Sequence, residues 1–553
     1  MTRSTCLVLA VAAVCGDLFA QSNERGAAYD GALANISSAT YYGRRGLAYP
    51  GGEIGIAFQN QLCNPGTVPV EWRSPGGGIG SVIQADHPKF GFLVAREVSN
   101  RFIQISDWSY CKHAFLSLNS GSVSPCLGGC VIPPANGAQL GVKCSDIYSA
   151  GNNASRTYLG PPEEINPWLG SWPNVGNYFD IGHPAQAGYP LAADGLRSLS
   201  TTGFDAVRNR VTIREADIAG GVATGLYFQI HVLHEGERVE NRGNNVMSRP
   251  FTLSWNGTTW APTTTGLASY GTIMNRWPGA TITYGSNGST GGGVLSDSDG
   301  RFAVAVKVTG PVNGLWHYEY CVHNIDNHRG GATFSLPVCP TGTVTNIGFR
   351  DIDTNTLNDW TSSFAGGQLT WTAPVTNPHN WNQLLNFWFD SSVAPVAGNA
   401  TIDQARVGPG ALTVTVPTTV PGLQPAVYLG AGCGTPSAEI TVNGVPAAGN
   451  LAFALNITSA PSVPVLLLFS NTNSSTNLAP GCDAYIDLLT YGTIGLYVTD
   501  GVGTVAVPAP VSPSQIAVDM TFQGATLIPS APLFGLVGLT NGLKVRFASL
   551  GCN

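Results

Sequence analysis

Charge is scarce in this 553-residue chain: Asp, Glu, Lys and Arg together supply only 11% of it, and the net charge is −7. The 26 Lys and Arg residues form no cluster or stripe that could neutralise a row of phosphates, which excludes nucleic acid as an expected partner. Long apolar runs are also missing. Past the first twenty residues nothing approaches the ~18 to 20 consecutive apolar residues of a membrane helix, so no transmembrane segment is expected in the mature chain. Helical periodicity is almost absent. The sequence has no G-x-S-x-G elbow, no P-loop and no dinucleotide fingerprint, and SYCK (109 to 112) matches S-x-x-K without the companion motifs that give it meaning.

Turn formers and strand formers are abundant. Gly (69) and Pro (37) approach a fifth of the residues, with Thr, Ser, Asn and Val filling much of the remainder. That is the composition of turn-rich β-structure, because Gly and Pro punctuate strands and branched residues suit a pleated surface. Short runs recur between turn signals: YFQIHVLHEG, RFAVAVKVTG, HYEYCVHN, GQLTWTAP, LLNFWFDSS and ALTVTVP. The one helix expected is short, around EEINPWLG, where Pro167 limits it. The fold class is therefore all-β, a multi-domain antiparallel β-sandwich architecture with a separate small C-terminal β-sandwich. We expect a signal peptide (1–20), an N-terminal β-rich region with long loops (21–195), a central sandwich (196–412), a Pro/Thr-rich linker (413–425) and a C-terminal sandwich (426–553).

The first twenty residues carry a basic start (Arg3), an apolar run from Cys6 to Cys15 and the small Ala20 before Gln21, the pattern of a secretory signal. Val14 stands where a lipid-attachment Cys15 needs a small neighbour. Ten cysteines remain after residue 20, an even number that in an oxidising compartment means disulfides. Cys126 and Cys130 could close a small loop, and Cys321 with Cys339 could staple neighbouring strands. Zinc is the rival reading of Cys126, Cys130 and Cys144.

Three constellations could carry chemistry. In HYEYCVHN, a strand puts Tyr318, Tyr320 and Val322 on one face and His317, Glu319, Cys321 and His323 on the other. In LYFQIHV, His231 likewise shares a polar face with Gln229. If those strands are neighbours, His231, His317, Glu319 and His323 converge as transition-metal ligands; otherwise both show a polar face to solvent or to a covering loop. Second, Asp351, Asp353, Asn355 and Asp359 recur at the spacing of a calcium loop, though Thr356 and Ser362 replace the Gly and Glu of an EF-hand. The competing reading is an Asp/Asn-rich turn bonding its own backbone. Third, YLGPPEEINPWLGSWPNVGNYFD places Glu163, Glu164 and Asp180 beside Trp168, Trp172 and Tyr178. Aromatic platforms with carboxylates suit sugar binding, and two carboxylates ~5 to 10 Å apart suit glycoside hydrolysis, with Asp146 a further possible partner.

The tail, from YLGAGCGTPSAEITVNGVPAAGNLAFALNI through APGCDAYIDLL to LTNGLKVRFASLGCN, resembles a C-terminal β-module of large exported proteins of planctomycete-like bacteria. YEYCVHNIDNHRGGATFSLPV, TNIGFRDID, NDWTSS and NQLLNFWFDSSVAPVAGNATI are similar to a block of uncharacterised exported proteins of that group. So are KHAFLSL, LGVKCSDIYSAGNNASRTYLGPPEEINP and NRVTIREADI. The resemblance implies export but no activity or catalytic residues. Against it, Cys111 and Cys321 stand where aliphatic residues are expected, which implies a bond between them as an alternative to Cys321 with Cys339. The sequence thus leads us to expect a secreted or cell-surface binding or structural protein, partnered by an extracellular polymer or cell-envelope component, with calcium the one candidate cofactor. The alternative is an extracellular hydrolase acting on a polymer such as polysaccharide, with a metal site as a candidate feature.

Overall fold

The computed structural model describes residues 24–288, 297–339, 342–422, 426–444, 446–448, 450–515 and 518–549. The expected signal segment 1–20 and Cys552 lie outside the described residues. Strands account for 47% of the chain and helix for 6%, which makes it all-β. The six sequence runs quoted above all fall in strands, and EEINPWLG contributes only a single 3-10 turn, Pro162–Glu164.

The strands build three sandwiches, each around its own apolar core. In the first, a sheet formed around Ala32–Gly46, Gly52–Cys63 and Val211–Arg214 faces a second sheet. That second sheet contains Val246–Trp255, Val222–Leu233, Lys89–Val98 and Cys111–His113. Alternation fills the space between them: Ile54, Ile56 and Phe58 from one sheet meet Phe228, Ile230 and Val232 from the other. The Phe58 and Phe228 rings stack with centroids 4.2 Å apart. Truncating either ring to alanine removes about 3–5 kcal/mol.

The second sandwich pairs Thr281–Ser286, Arg301–Val312, Leu315–Asn324, Gln383–Ser391 and Val344–Arg350 in one sheet. The other runs Thr361–Ala365, Gln368–Thr372, Thr333–Pro337, Pro395–Asp403, Thr413–Pro421. Tyr318, Tyr320 and Val322 point into its core with Phe334, Trp371, Phe387 and Phe389, as the alternation predicts. The third sandwich spans Ala426–Leu429 to Gly542–Arg546, with Ile440, Leu455, Leu467, Phe522 and Leu543 inside and the Cys433–Cys482 disulfide beside them.

Two expected boundaries move. The division near 195 is displaced to about 280, because Val211–Arg214 pairs with Gly52–Cys63 and Val222–Leu233 pairs with Lys89–Val98. The linker 413–425 is also corrected: Thr413–Pro421 pairs with Pro395–Asp403 through nine register positions. It is the edge strand of its sheet, where proline's missing N–H leaves no ladder bond unmade, so Pro417 and Pro421 are tolerated.

The disulfides differ from the expected pairs. Cys63 is bonded to Cys126 and Cys130 to Cys144, which overturns the Cys126–Cys130 loop and leaves no zinc-ligating thiolate in that group. Cys339 is disulfide-bonded, but not to Cys321, because Cys321 and Cys111 are both free and buried. Nor are these two bonded to each other. Cys111 packs with Trp172 and Phe179, Cys321 with Leu93, Ala303 and Leu384. Three disulfides among the described residues are the bonding pattern of a chain that folds in an oxidising compartment. No described helix is long and apolar enough to cross a membrane.

Candidate functional site

The polar faces of the two histidine-bearing strands do meet, but across a gap between sandwiches rather than side by side in one sheet. Val222–Leu233 pairs with Lys89–Val98 and Val246–Trp255; Leu315–Asn324 pairs with Arg301–Val312 and Gln383–Ser391. Each strand sends its apolar residues into its own core. The opposite faces, which would otherwise be solvated, are pressed together into a seam. Leu93, Ala95 and Phe102 of the first sandwich pack there on Ala303, Ala305, Cys321 and Leu384 of the second.

Polar groups stitch the apolar part. Asn382 donates to the Phe92 carbonyl at 3.0 Å and Asn386 to that of Phe102 at 2.9 Å, while the Leu384 amide donates to Gln104 at 2.9 Å. Gln229 donates to Asn382 at 3.2 Å and accepts from the Ile273 amide at 2.7 Å. Two tryptophans cross as well: Trp381 Nε1 donates to Pro162 O, and Trp108 Nε1 to Trp381 O. Apart from the Gln229–Asn382 pair, each joins a side chain to backbone, between residues up to 290 apart.

The seam also buries charge. Asp326 is inaccessible, and both its oxygens accept from Arg301, at 2.7 Å in the closest contact, with Arg242 of the first sandwich at 3.5 Å. Burial alone pushes its carboxyl up, but the two guanidiniums win and hold it below the ordinary aspartate range. Nearby Glu237 has the opposite fate. It accepts from the Gly31 amide at 2.9 Å and from Asn245, yet desolvation raises it to about 8, so it is protonated at neutral pH.

The proposed metal set does not assemble. His317 and Glu319 sit at the open end of the seam in a chain of charges. Arg101 grips Glu319 through two bonds of 2.6 and 2.8 Å and lies on the Trp388 ring at 3.3 Å. His317 donates to Glu319 at 3.3 Å and to Asp390 at 2.6 Å; the bond to Glu319, aided by Asp390, raises its imidazole above the ordinary value. His323 and His231 lie deeper. His323 Nδ1 is bonded to Thr272 at 2.8 Å, and burial keeps both rings neutral, with His231 lowered to about 4. Among the described residues no three His, Cys, Asp or Glu side chains are grouped to hold a metal ion. The physical reason is register: residues 317 and 323 are six positions apart on an extended strand, about 20 Å.

The carboxylates of 351–359 cap backbone. Asp351 accepts from the Asp353 amide at 3.1 Å, Asp353 from Asn355 at 2.6 Å and Asn355 from Leu357 at 3.3 Å, a run of Asx turns. Asp351 also takes Asn377 at 2.7 Å, and Asp359 makes none of these bonds. The expected aromatic platform is corrected too: Trp168, Trp172 and Tyr178 are at most 5% exposed and plug the side of the first sandwich. Glu164 accepts from Trp172 Nε1 at 3.0 Å and from the Tyr178 amide at 3.1 Å. Asp180 is inaccessible and accepts from the amides of Gly176, Asp194 and Gly195. Glu163 alone is exposed. Asp146 accepts the Leu118 and Ile147 amides, and burial raises it to about 6.

A cluster that the sequence reading passed over lies behind Trp172. His87 and His113 are bonded at 2.8 Å, with Lys89 and Lys112 fully buried on either side. Lys89 donates to the Ala85 and Gly170 carbonyls, and Lys112 to that of Asn152 beneath the rings of Phe115 and Tyr158. Desolvation drives Lys89 down to about 8. Gly170 has φ +67 and approaches His234 so closely that a Cβ would fall 2.3 Å from its carbonyl oxygen. The available signal was KFGFLVA, where Lys89 opens an apolar run that must be interior.

No family model matches the sequence. No curated protein matches it either. Among solved structures the chain is similar to Escherichia coli alpha-2-macroglobulin activated by porcine elastase, at 8% identity. The match covers 94% of this chain and 35% of that chain, with a TM-score of 0.15, a value at which the likeness carries no argument.

Proposed function

We propose that the chain is an exported, non-catalytic binding or structural protein of the cell surface or extracellular space, with the third sandwich serving attachment or sorting. The observation that carries this reading is the use made of the groups that could do acid–base chemistry. Glu164 and Asp180 cap amides, His323 and His231 are buried neutral in the seam, and Asp326 is paired with Arg301 and Arg242. Each is bonded into the fold, where a hydrolase would present two such groups to a shared opening. The same seam joins two charge-poor sandwiches through their polar faces, which occupies the histidines and carboxylates in packing.

The test is co-sedimentation of the full chain with insoluble polysaccharides and cell-envelope fractions, with release of reducing ends followed in parallel. Retention without release is the expected result. Release of reducing ends that disappears in Glu163→Gln would replace this reading with that of a polymer hydrolase.

A further inference from the structure

A cavity of about 360 Å³ opens on the first sandwich beside the aromatic plug, between residues 183–187 and 200–208. It falls within the size range of small-molecule sites. Phe204 forms one wall. The His183 ring packs on it at 5.0 Å, and the guanidiniums of Arg208 and Arg156 lie 5.2 and 5.9 Å from its centre.

The hydrogen-bonding character of the lining is one-sided. His183 Nδ1 accepts from the Ala185 amide at 2.9 Å, so in the neutral ring Nε2 carries the proton and is a donor. Burial and Arg208 both hold that imidazole below its ordinary value, which keeps this tautomer at neutral pH. Thr202 Oγ1 accepts from Ser200 Oγ at 3.1 Å, leaving its own O–H to give. Gln186 has both ends engaged, by the Ser200 amide and the Ser198 carbonyl, and serves as wall.

Arg208 differs from its neighbours. Arg156 donates to the carbonyls of Phe204 and Asp205. Asp205, the carboxylate of this loop, is taken by Arg45 at 3.4 Å and by the amides of Val207 and Arg208 at 2.8 Å each. The Arg208 guanidinium makes no ion pair or hydrogen bond among the described residues, and it lines the cavity. A lone unpaired fork, an imidazole N–H and a hydroxyl around a cavity without a competing carboxylate call for a ligand with one planar anion and further oxygen acceptors.

We propose that this cavity binds a carboxylate-bearing sugar, with Arg208 taking the carboxylate in two parallel bonds and His183 and Thr202 donating to ring or hydroxyl oxygens. The proposal rests on the binding reading above and names its ligand class. One guanidinium matches one carboxylate in charge and in geometry, and the volume exceeds the needs of a small inorganic anion.

The experiment is titration calorimetry of the full chain with a uronic-acid tetrasaccharide, the corresponding neutral tetrasaccharide and the uronic-acid monomer, repeated for Arg208→Gln, Arg208→Lys and Thr202→Val. The acidic tetrasaccharide should bind and the neutral one should not. Arg208→Gln should weaken binding by about tenfold or more, and Arg208→Lys should restore only part of it. Arg208 is a partly buried loop residue whose guanidinium makes no ion pair or hydrogen bond among the described residues, so thermal melts of the variants should match the parent; the Thr202→Val variant, on the exposed rim, gives a second test. Comparable binding of the monomer identifies a free sugar acid as the ligand, while binding of the tetrasaccharide alone identifies a polymer. Equal binding of acidic and neutral tetrasaccharides, undiminished binding by Arg208→Gln, or no binding at millimolar ligand overturns the proposal. Retention on another polymer, unaffected by Arg208→Gln, rejects the cavity yet keeps the broader reading; no retention on any polymer and no binding of the monomer rejects both.

Discussion

Replacing Asp326 with Asn removes one negative charge from the seam with little change of volume. Asp326 accepts three side-chain contacts from Arg301, between 2.7 and 3.3 Å, and the Arg301 amide at 2.8 Å, with Arg242 at 3.5 Å. The asparagine oxygen can keep the amide. The two guanidiniums, 4% exposed at Arg242 and 21% at Arg301, are then left without a counter-ion. Breaking a buried pair in this way costs about 3–5 kcal/mol, because the remaining charge stays desolvated. The control is Arg45→Gln, which removes ion pairs that are 40% exposed or nearly so on both sides and should cost less than about 1 kcal/mol. Urea denaturation followed by tryptophan fluorescence reads both, since Trp168 lies under Arg242 at 4.7 Å. A loss below about 1 kcal/mol for Asp326→Asn, equal to the control, would refute the reasoning that this charge holds the seam.

Other outcomes follow from the same geometry. His231 and His379 are buried with imidazoles near 4, against 6.5 when free. The unfolded state therefore binds their protons first, so stability is full above pH 6.5 and falls between 6.5 and 4. By pH 5 each ring should cost about 2 kcal/mol in chemical denaturation. Glu237, raised to about 8, has the reverse sign: its contribution is full below 4.5 and lost as pH climbs through 8. Glu237→Gln should therefore match the parent at pH 4 and exceed it in denaturation midpoint at pH 8. Cys111 and Cys321 should resist alkylation in the native protein and label on unfolding, as peptide mass spectrometry would show. Because 351–359 bonds its own backbone, chelator and calcium should leave the melting temperature within about 1 °C of each other; a larger calcium-dependent rise would reinstate the calcium loop.

The alternation in LYFQIHV and HYEYCVHN was enough to separate core-facing from opposite-facing residues. Tyr318 and Phe228 lie where a period of two puts them. What covers the opposite face was not legible, because strand periodicity reports which residues share a face and carries no information on what packs there. The answer involved contacts such as Asn382 to Phe92, far apart in sequence. The same non-locality hid the domain boundary near 280, which depends on strands after residue 210 returning to pair with 52–63. Proline content misled at 413–421 because it cannot tell an edge strand from a linker. The aromatics of 158–180 misled because a large ring serves equally as an exposed platform or a buried plug, and Trp168 is the latter. His183, Phe204 and Arg208 were invisible as a group, since their spacing follows no motif and their meeting depends on two loops.

The polar faces of Val222–Leu233 and Leu315–Asn324 are buried against each other, so the first two sandwiches should open as one unit. Native-state hydrogen exchange of those two strands tests it most directly. Matching protection at a single opening free energy, lowered equally in both strands by Asp326→Asn, is the expected result. Separate opening free energies, with one strand exchanging while the other stays protected, would contradict it.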